Sequence, residues 1–125
     1  MKNIINTEKA PAPIGPYSQA VKVGQTMYVS GQIPIDQSTG DLVDESIEAE
    51  TEQVMKNIGF ILAEAGLSFE NVVKCSIFVS DMSNFSRLNE VYGRYFTTNP
   101  PARETVEVSG LPKGVNVEIS CIVAL

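Results

Sequence analysis

The chain has 125 residues, enough for a single domain spanning 1–125 and too few for two ordinary ones. Hydrophobic residues make up 43% and charged residues 19%, the balance of a folded domain rather than a disordered segment. Histidine is absent and the formal net charge is -6, which excludes a Ser-His-Asp or Cys-His pair and any His-liganded metal, and argues against non-specific nucleic-acid binding.

The opening Met1-Lys2-Asn3-Ile4-Ile5-Asn6 has no apolar signal-peptide core. No stretch approaches the roughly 20 apolar residues that span a bilayer, so a cytoplasmic protein without membrane contact is expected. A short strand is predicted around residues 3–6. Three prolines in Ala10-Pro11-Ala12-Pro13-Ile14-Gly15-Pro16-Tyr17 then forbid regular helix and predict an irregular loop. Strand candidates at 18–23 and 26–33 flank Gly24-Gln25, a two-residue hairpin signal, and Gly31 with Pro34 ends or bulges the second. Residues 36–40 read as a polar loop.

From Ile47 the period changes. Ile47, Thr51, Val54, Ile58, Ile61, Leu62 and Ala65 recur at three-to-four spacing, predicting an amphipathic helix, acidic in its first turns and closed at Gly66. Residues 71–81 read as a strand in which Val73, Cys75, Ile77 and Val79 alternate with Lys74, Ser76, Phe78 and Ser80, turning Cys75 to the core. Cys75 and Cys121 belong to no CxxC motif and read as buried reduced thiols rather than a disulfide or a redox pair. A second helix is predicted from about Asn84, with Phe85, Leu88, Tyr92, Tyr95 and Phe96 as its stripe and Asn99-Pro100-Pro101 as its stop. The last stretch reads as a hairpin, 103–109 with 115–125, turned at 110–114. This order predicts an α+β fold, a mainly antiparallel sheet with two helices packed on one face. Phe78, Ile122 and Ala124 fall on the other face, which is expected to be covered by another subunit.

The predicted terminal hairpin carries the candidate chemistry. A four-residue loop sets Thr105 opposite Glu118 and Arg103 opposite Ser120, making Arg103 and Glu118 diagonal neighbours on the face without helices. Such an Arg can clamp a carboxylate bidentately, and in a chain without histidine such a Glu is the natural acid-base group. Pattern alone favours a plain cross-strand ion pair over a site. Tyr17 either overhangs a pocket or packs on a rim, and Ser30-Gly31 either approaches a ligand with its backbone or forms a simple bulge.

Several segments nonetheless resemble the RidA/YjgF family of reactive-intermediate deaminases. They are Ile14-Gly15-Pro16-Tyr17, Tyr28-Val29-Ser30-Gly31-Gln32-Ile33-Pro34, Leu88-Asn89-Glu90-Val91-Tyr92, and the block from Pro101-Ala102-Arg103-Glu104-Thr105 through Leu111-Pro112 to Val117-Glu118-Ile119. The resemblance covers nearly the whole chain. It implies a chorismate-mutase-like fold, a homotrimer with clefts between subunits, and hydrolysis of 2-imino or 2-enamino acids to 2-keto acids and ammonia. The substrates would be those released by pyridoxal-phosphate enzymes, such as 2-iminobutanoate and 2-iminopropanoate, and the family implies no metal or organic cofactor. By motif, Arg103 would hold the substrate carboxylate and Glu118 would position or activate the attacking water. The Gly31 carbonyl and the Thr105 backbone N–H would orient substrate, with Ser30 and Tyr17 completing the pocket. Thr105 stands where many relatives have Cys, and Glu104 where a small residue is usual; the side chain of Glu104 is expected on the face opposite Arg103. The alternative reading is a non-catalytic regulatory protein that binds a small carboxylate such as a 2-keto acid. Cleavage of RNA, a role attached to some relatives, is disfavoured by the charge, the missing histidine and the lack of a basic stretch.

Overall fold

The helical period that begins at Ile47 yields α1 (Ile47–Glu64) in a computed structural model that describes residues 1–125. Ser46 caps it, its Oγ accepting from the Ala49 N–H at 3.0 Å, and Glu48 and Glu50 place negative charge in the first turn. Ala65 ends the helix and Gly66 follows at φ +74°, a conformation that costs glycine nothing. The stripe from Ile47 to Leu62 is buried as expected, with Ala65 half-buried at its end, and α1 also buries Met55, Asn57 and Glu50. Glu50 is satisfied by the Asn116 N–H at 2.9 Å and the Asn116 side-chain amide at 2.6 Å.

The predicted hairpin forms from β2 (Ala20–Val23) and β3 (Thr26–Gln32), with Val23 paired to Thr26 across the Gly24-Gln25 turn, and β1 (Asn3–Ile5), the first predicted strand, pairs with β2 to extend it into a meander. The polar loop expected at 36–40 turns a small ribbon, β4 (Ile35–Asp36) paired with β5 (Asp41–Leu42). β6 (Val72–Val79) follows α1, and Cys75 is buried as expected. Val73 is not: a register irregularity between Val72 and Lys74 turns Val72 inward and leaves Val73 exposed. The second helix, α2 (Phe85–Gly93), is shorter than its apolar pattern suggests. Tyr95 and Phe96 lie beyond it, where their rings pack on Phe69 at 5.0 and 5.6 Å between centroids.

β7 (Ala102–Glu107) and β8 (Val117–Ala124) complete a six-stranded sheet of order β1-β2-β3-β8-β6-β7. The predicted terminal hairpin does not form. β7 lies parallel to β6, with Cys75 beside Arg103 and Ile77 beside Thr105, while β8 runs antiparallel to β6 on its other side. The reason is local. A strand, a helix and a strand in succession make a crossover connection, which delivers the second strand parallel to the first. The tight turn at Pro112–Gly114 then carries the chain past the end of β6 to the free side. The sheet is otherwise antiparallel, and the core forms between it and both helices: Met27, Ile58, Leu62, Ile77, Leu88 and Ile119 are fully buried there. Cys75 and Cys121 sit directly opposite each other on β6 and β8, both buried as free thiols.

Candidate functional site

The altered connection changes where the candidate residues stand. Glu118 pairs with Phe78, whereas Arg103 is level with Cys75 and therefore with Cys121. Residues abreast in a sheet share a face. Arg103 consequently lies on the helix side and Glu118 on the opposite side, on strands separated by β6. The expectation that they are diagonal neighbours on one face is overturned, as are the pairings of Thr105 with Glu118 and Arg103 with Ser120. At ordinary strand spacing β7 and β8 are roughly 10 Å apart, before the opposed side-chain directions are counted.

Tyr17, Ser30, Gly31 and Glu118 do come together. With Ile14, Ile33 and Pro112 they line a cleft of about 280 Å³. The β3 strand is irregular here: Val29 pairs with Cys121 and Gln32 with Ile119, so Ser30 and Gly31 together oppose Ser120 alone. Gly31 is needed for a steric reason, since a Cβ built on it would lie 2.7 Å from Glu118 Cδ. The Glu118 carboxylate thus lies across bare backbone. It has neither a hydrogen-bond partner nor an ion-pair partner within the protomer, and partial burial pushes its pKa above the usual carboxylate value.

The proline-rich loop is tied onto the same end of the sheet. Buried Gln19 accepts from the Thr7 N–H at 2.7 Å and donates to the Thr7, Ala10 and Pro11 carbonyls. Ser30 Oγ donates to the Ser18 carbonyl at 2.6 Å, and the Ser30 N–H to the Gln19 carbonyl at 2.9 Å. Together these hold Tyr17 at the mouth of the cleft. Its hydroxyl accepts from the Ile14 N–H at 3.2 Å while the side chain remains exposed.

Arg103 has a different cradle. Phe85, Asn89 and Tyr92 recur at helical spacing on α2 and face it together. Its guanidinium carbon lies 5.4 Å from the Phe85 ring centre and 5.0 Å from that of Tyr92, and Nη1 donates to Asn89 Oδ1 at 2.6 Å. No carboxylate pairs with it, as the ion pairs are Lys74–Glu104, Arg87–Glu48 and Arg94–Glu90. Glu104 does point to the other face, where hydrogen bonds from Ser76 and Lys74 hold its carboxyl below the usual range. It therefore leaves the Arg103 charge untouched. Thr105 lies on the Arg103 side, its hydroxyl buried without a partner. Val108 donates to the Val79 carbonyl at 2.8 Å, so by strand alternation the Thr105 N–H points away from β6, to the free edge of the sheet. The sequence names Asn89 only within the Leu88–Tyr92 segment that carries the resemblance, with no role of its own, and reads Phe85 and Tyr92 as core; their i, i+7 spacing with Asn89 between is the available signal.

Comparison with known proteins gives a consistent picture. Residues 7–125 match the family model described as "Endoribonuclease L-PSP". The chain is similar to "RutC family protein SSO3206" of Saccharolobus solfataricus, at 53% identity over 98% of this chain and 97% of that protein. It is 48% identical to the "2-iminobutanoate/2-iminopropanoate deaminase" of Mus musculus, over 98% of this chain and 90% of the mouse protein. Among solved structures, that of the Rid-family protein YyfA from Yersinia pestis superposes with a TM-score of 0.97 at 49% identity, covering 100% of both chains.

Proposed function

The chain belongs to the RidA/YjgF family, and from that premise we propose that it hydrolyses reactive 2-imino and 2-enamino acids, such as 2-iminobutanoate and 2-iminopropanoate, to 2-keto acids and ammonia. The observation that carries this reading is a pair of charges without counter-ions, the Arg103 guanidinium and the Glu118 carboxylate, each set among neutral groups. An anion and a water molecule are what such groups lack. The name carried by the 48% identical mouse relative supports the choice of substrate class.

In this reading Arg103 binds the substrate carboxylate, joined by the Thr105 N–H at the free sheet edge. Glu118 orients a water, takes one of its protons as the oxygen adds to the C=N carbon, and returns that proton to the nitrogen. The resulting amino alcohol collapses, expelling ammonia and leaving the 2-keto acid, so that one water is consumed and no redox change occurs. A carboxylate of raised pKa is a better base than an ordinary one. Imines are intrinsically labile, so positioning and a single proton relay suffice.

Because the two groups occupy opposite faces of one sheet, the reading also requires two copies of the chain. We infer a homotrimer in which Arg103 of one protomer completes the Tyr17–Ser30–Gly31–Glu118 cleft of the next. Exposed Tyr28 and Val106, with half-buried Val21, Phe78 and Ile122, give the face without helices an apolar surface that an assembly of this kind would cover.

The test is to generate 2-iminopropanoate in situ with an amino-acid oxidase and follow its trapping by semicarbazide. Wild type is expected to accelerate imine loss and Arg103→Ala to fail. No acceleration by folded wild type would contradict the reading. The family description also names an endoribonuclease, but 9 basic against 15 acidic residues, with no run of Lys or Arg, argues against a phosphate backbone as the ligand. A regulatory protein that only binds 2-keto acids differs in one respect: Glu118→Ala would leave its function intact.

A further inference from the structure

We infer that Asn89 is the positioning residue for Arg103, and that its neutrality is what leaves the guanidinium charge available to a ligand carboxylate. This rests on the hydrolase reading and concerns the anion half of the same site. The chain is acidic, with 15 carboxylate side chains, yet the half-buried Arg103 has none beside it. Three glutamates are close enough in sequence to supply one, and each is engaged elsewhere. Glu90, the neighbour of Asn89 on α2, extends towards Arg94 at 3.8 Å. Glu104, the neighbour of Arg103 on β7, is turned through the sheet to Lys74 at 2.9 Å. Glu107, on the Arg103 side of β7, accepts from the Met82 N–H at 2.7 Å.

What remains around Arg103 is neutral: two aromatic faces and one amide oxygen. The rings confine the plane of the guanidinium, and the bond to Asn89 Oδ1 fixes its rotation within that plane. The remaining N–H groups then present a set orientation and an undiminished positive charge. An Asp in place of Asn89 would have the same shape and accept the same hydrogen bond. It would also supply the missing counter-ion internally, in direct competition with the substrate.

The experiment compares wild type, Asn89→Asp and Asn89→Ala as full-length folded proteins, using calorimetric titration with pyruvate and steady-state kinetics on 2-iminopropanoate. Asn89→Asp is expected to weaken pyruvate binding by about tenfold or more, and Asn89→Ala by less, because losing orientation costs less than losing the charge. KM should rise by similar factors while kcat changes by less than about threefold, since Glu118 is untouched. A merely structural Asn89 would instead lower kcat, or affect both variants alike. The inference is overturned if Asn89→Asp binds pyruvate as tightly as wild type, if Asn89→Ala is the weaker binder, or if wild type does not bind pyruvate. The hydrolase reading fails separately: wild type and variants would rank as expected for pyruvate while none accelerates imine loss.

Discussion

Glu118 lies in a site that works against its own ionisation. Burial raises its pKa, and the protomer offers no hydrogen bond or cation in return. Replacing it with Gln should abolish imine hydrolysis yet leave the fold as stable as wild type or more so at neutral pH, a common relation between active-site groups and stability. The sign with pH follows from linkage. A carboxyl whose folded pKa is raised binds its proton more tightly when folded, so its ionisation is unfavourable for folding above that value. The stability advantage of Glu118→Gln should therefore be widest at neutral pH and close as pH falls below the ordinary glutamate range, which thermal melts across that range would measure. Gly31 is the steric complement of Glu118. Gly31→Ala must displace the carboxylate from the strand backbone, and a fall in kcat of at least about tenfold with little change in Tm is expected, because misplacing a catalytic group by ~1 Å costs rate far more than stability. Circular dichroism beside the kinetic assay would separate these effects.

At the scale of elements, the stability of α1 depends on its cap and its buried stripe. Ser46→Ala removes the bond to the Ala49 N–H and should cost about 1 kcal/mol in denaturant titration. Cys75 and Cys121 face each other under α2, and burial pushes both thiols upward in pKa, so neither should react with a thiol reagent until the protein unfolds. α1 was legible because Ile47 to Ala65 combine a clear period with a Ser cap and a terminal glycine, all of them local signals. β7 was not legible in the same way. Arg103, Thr105 and Glu107 alternate correctly with Val106, but alternation says which residues share a face and not which neighbour the strand joins. The helix between β6 and β7 implies a parallel crossover, whereas the glycines at 110 and 114 mimic a hairpin turn. The hairpin reading puts Arg103 on the wrong face. Tyr17, Ser30, Gly31 and Glu118 were singled out from the sequence and stand together in the fold, although only Gly31 has a backbone reason visible in sequence. Asn89 takes no individual role from the sequence because a polar residue beside a helical stripe looks like any solvated position.

At the scale of the molecule, the protomer holds two half-sites that cannot meet. One is the cleft of Tyr17, Ser30, Gly31 and Glu118; the other is Arg103 on its shelf of Phe85, Asn89 and Tyr92. In the proposed trimer each site takes one half from each of two copies, which makes activity a property of the assembly. The most direct test is complementation. Arg103→Ala and Glu118→Ala proteins, each inactive alone, are mixed in equal amounts, unfolded, refolded together and assayed for loss of 2-iminopropanoate. If the halves come from different copies, random assortment gives about a quarter of the sites an intact Arg103 and an intact Glu118, and that fraction of wild-type activity returns. A mixture that refolds into the same assembly as wild type and stays as inactive as its parents would contradict a site shared between copies.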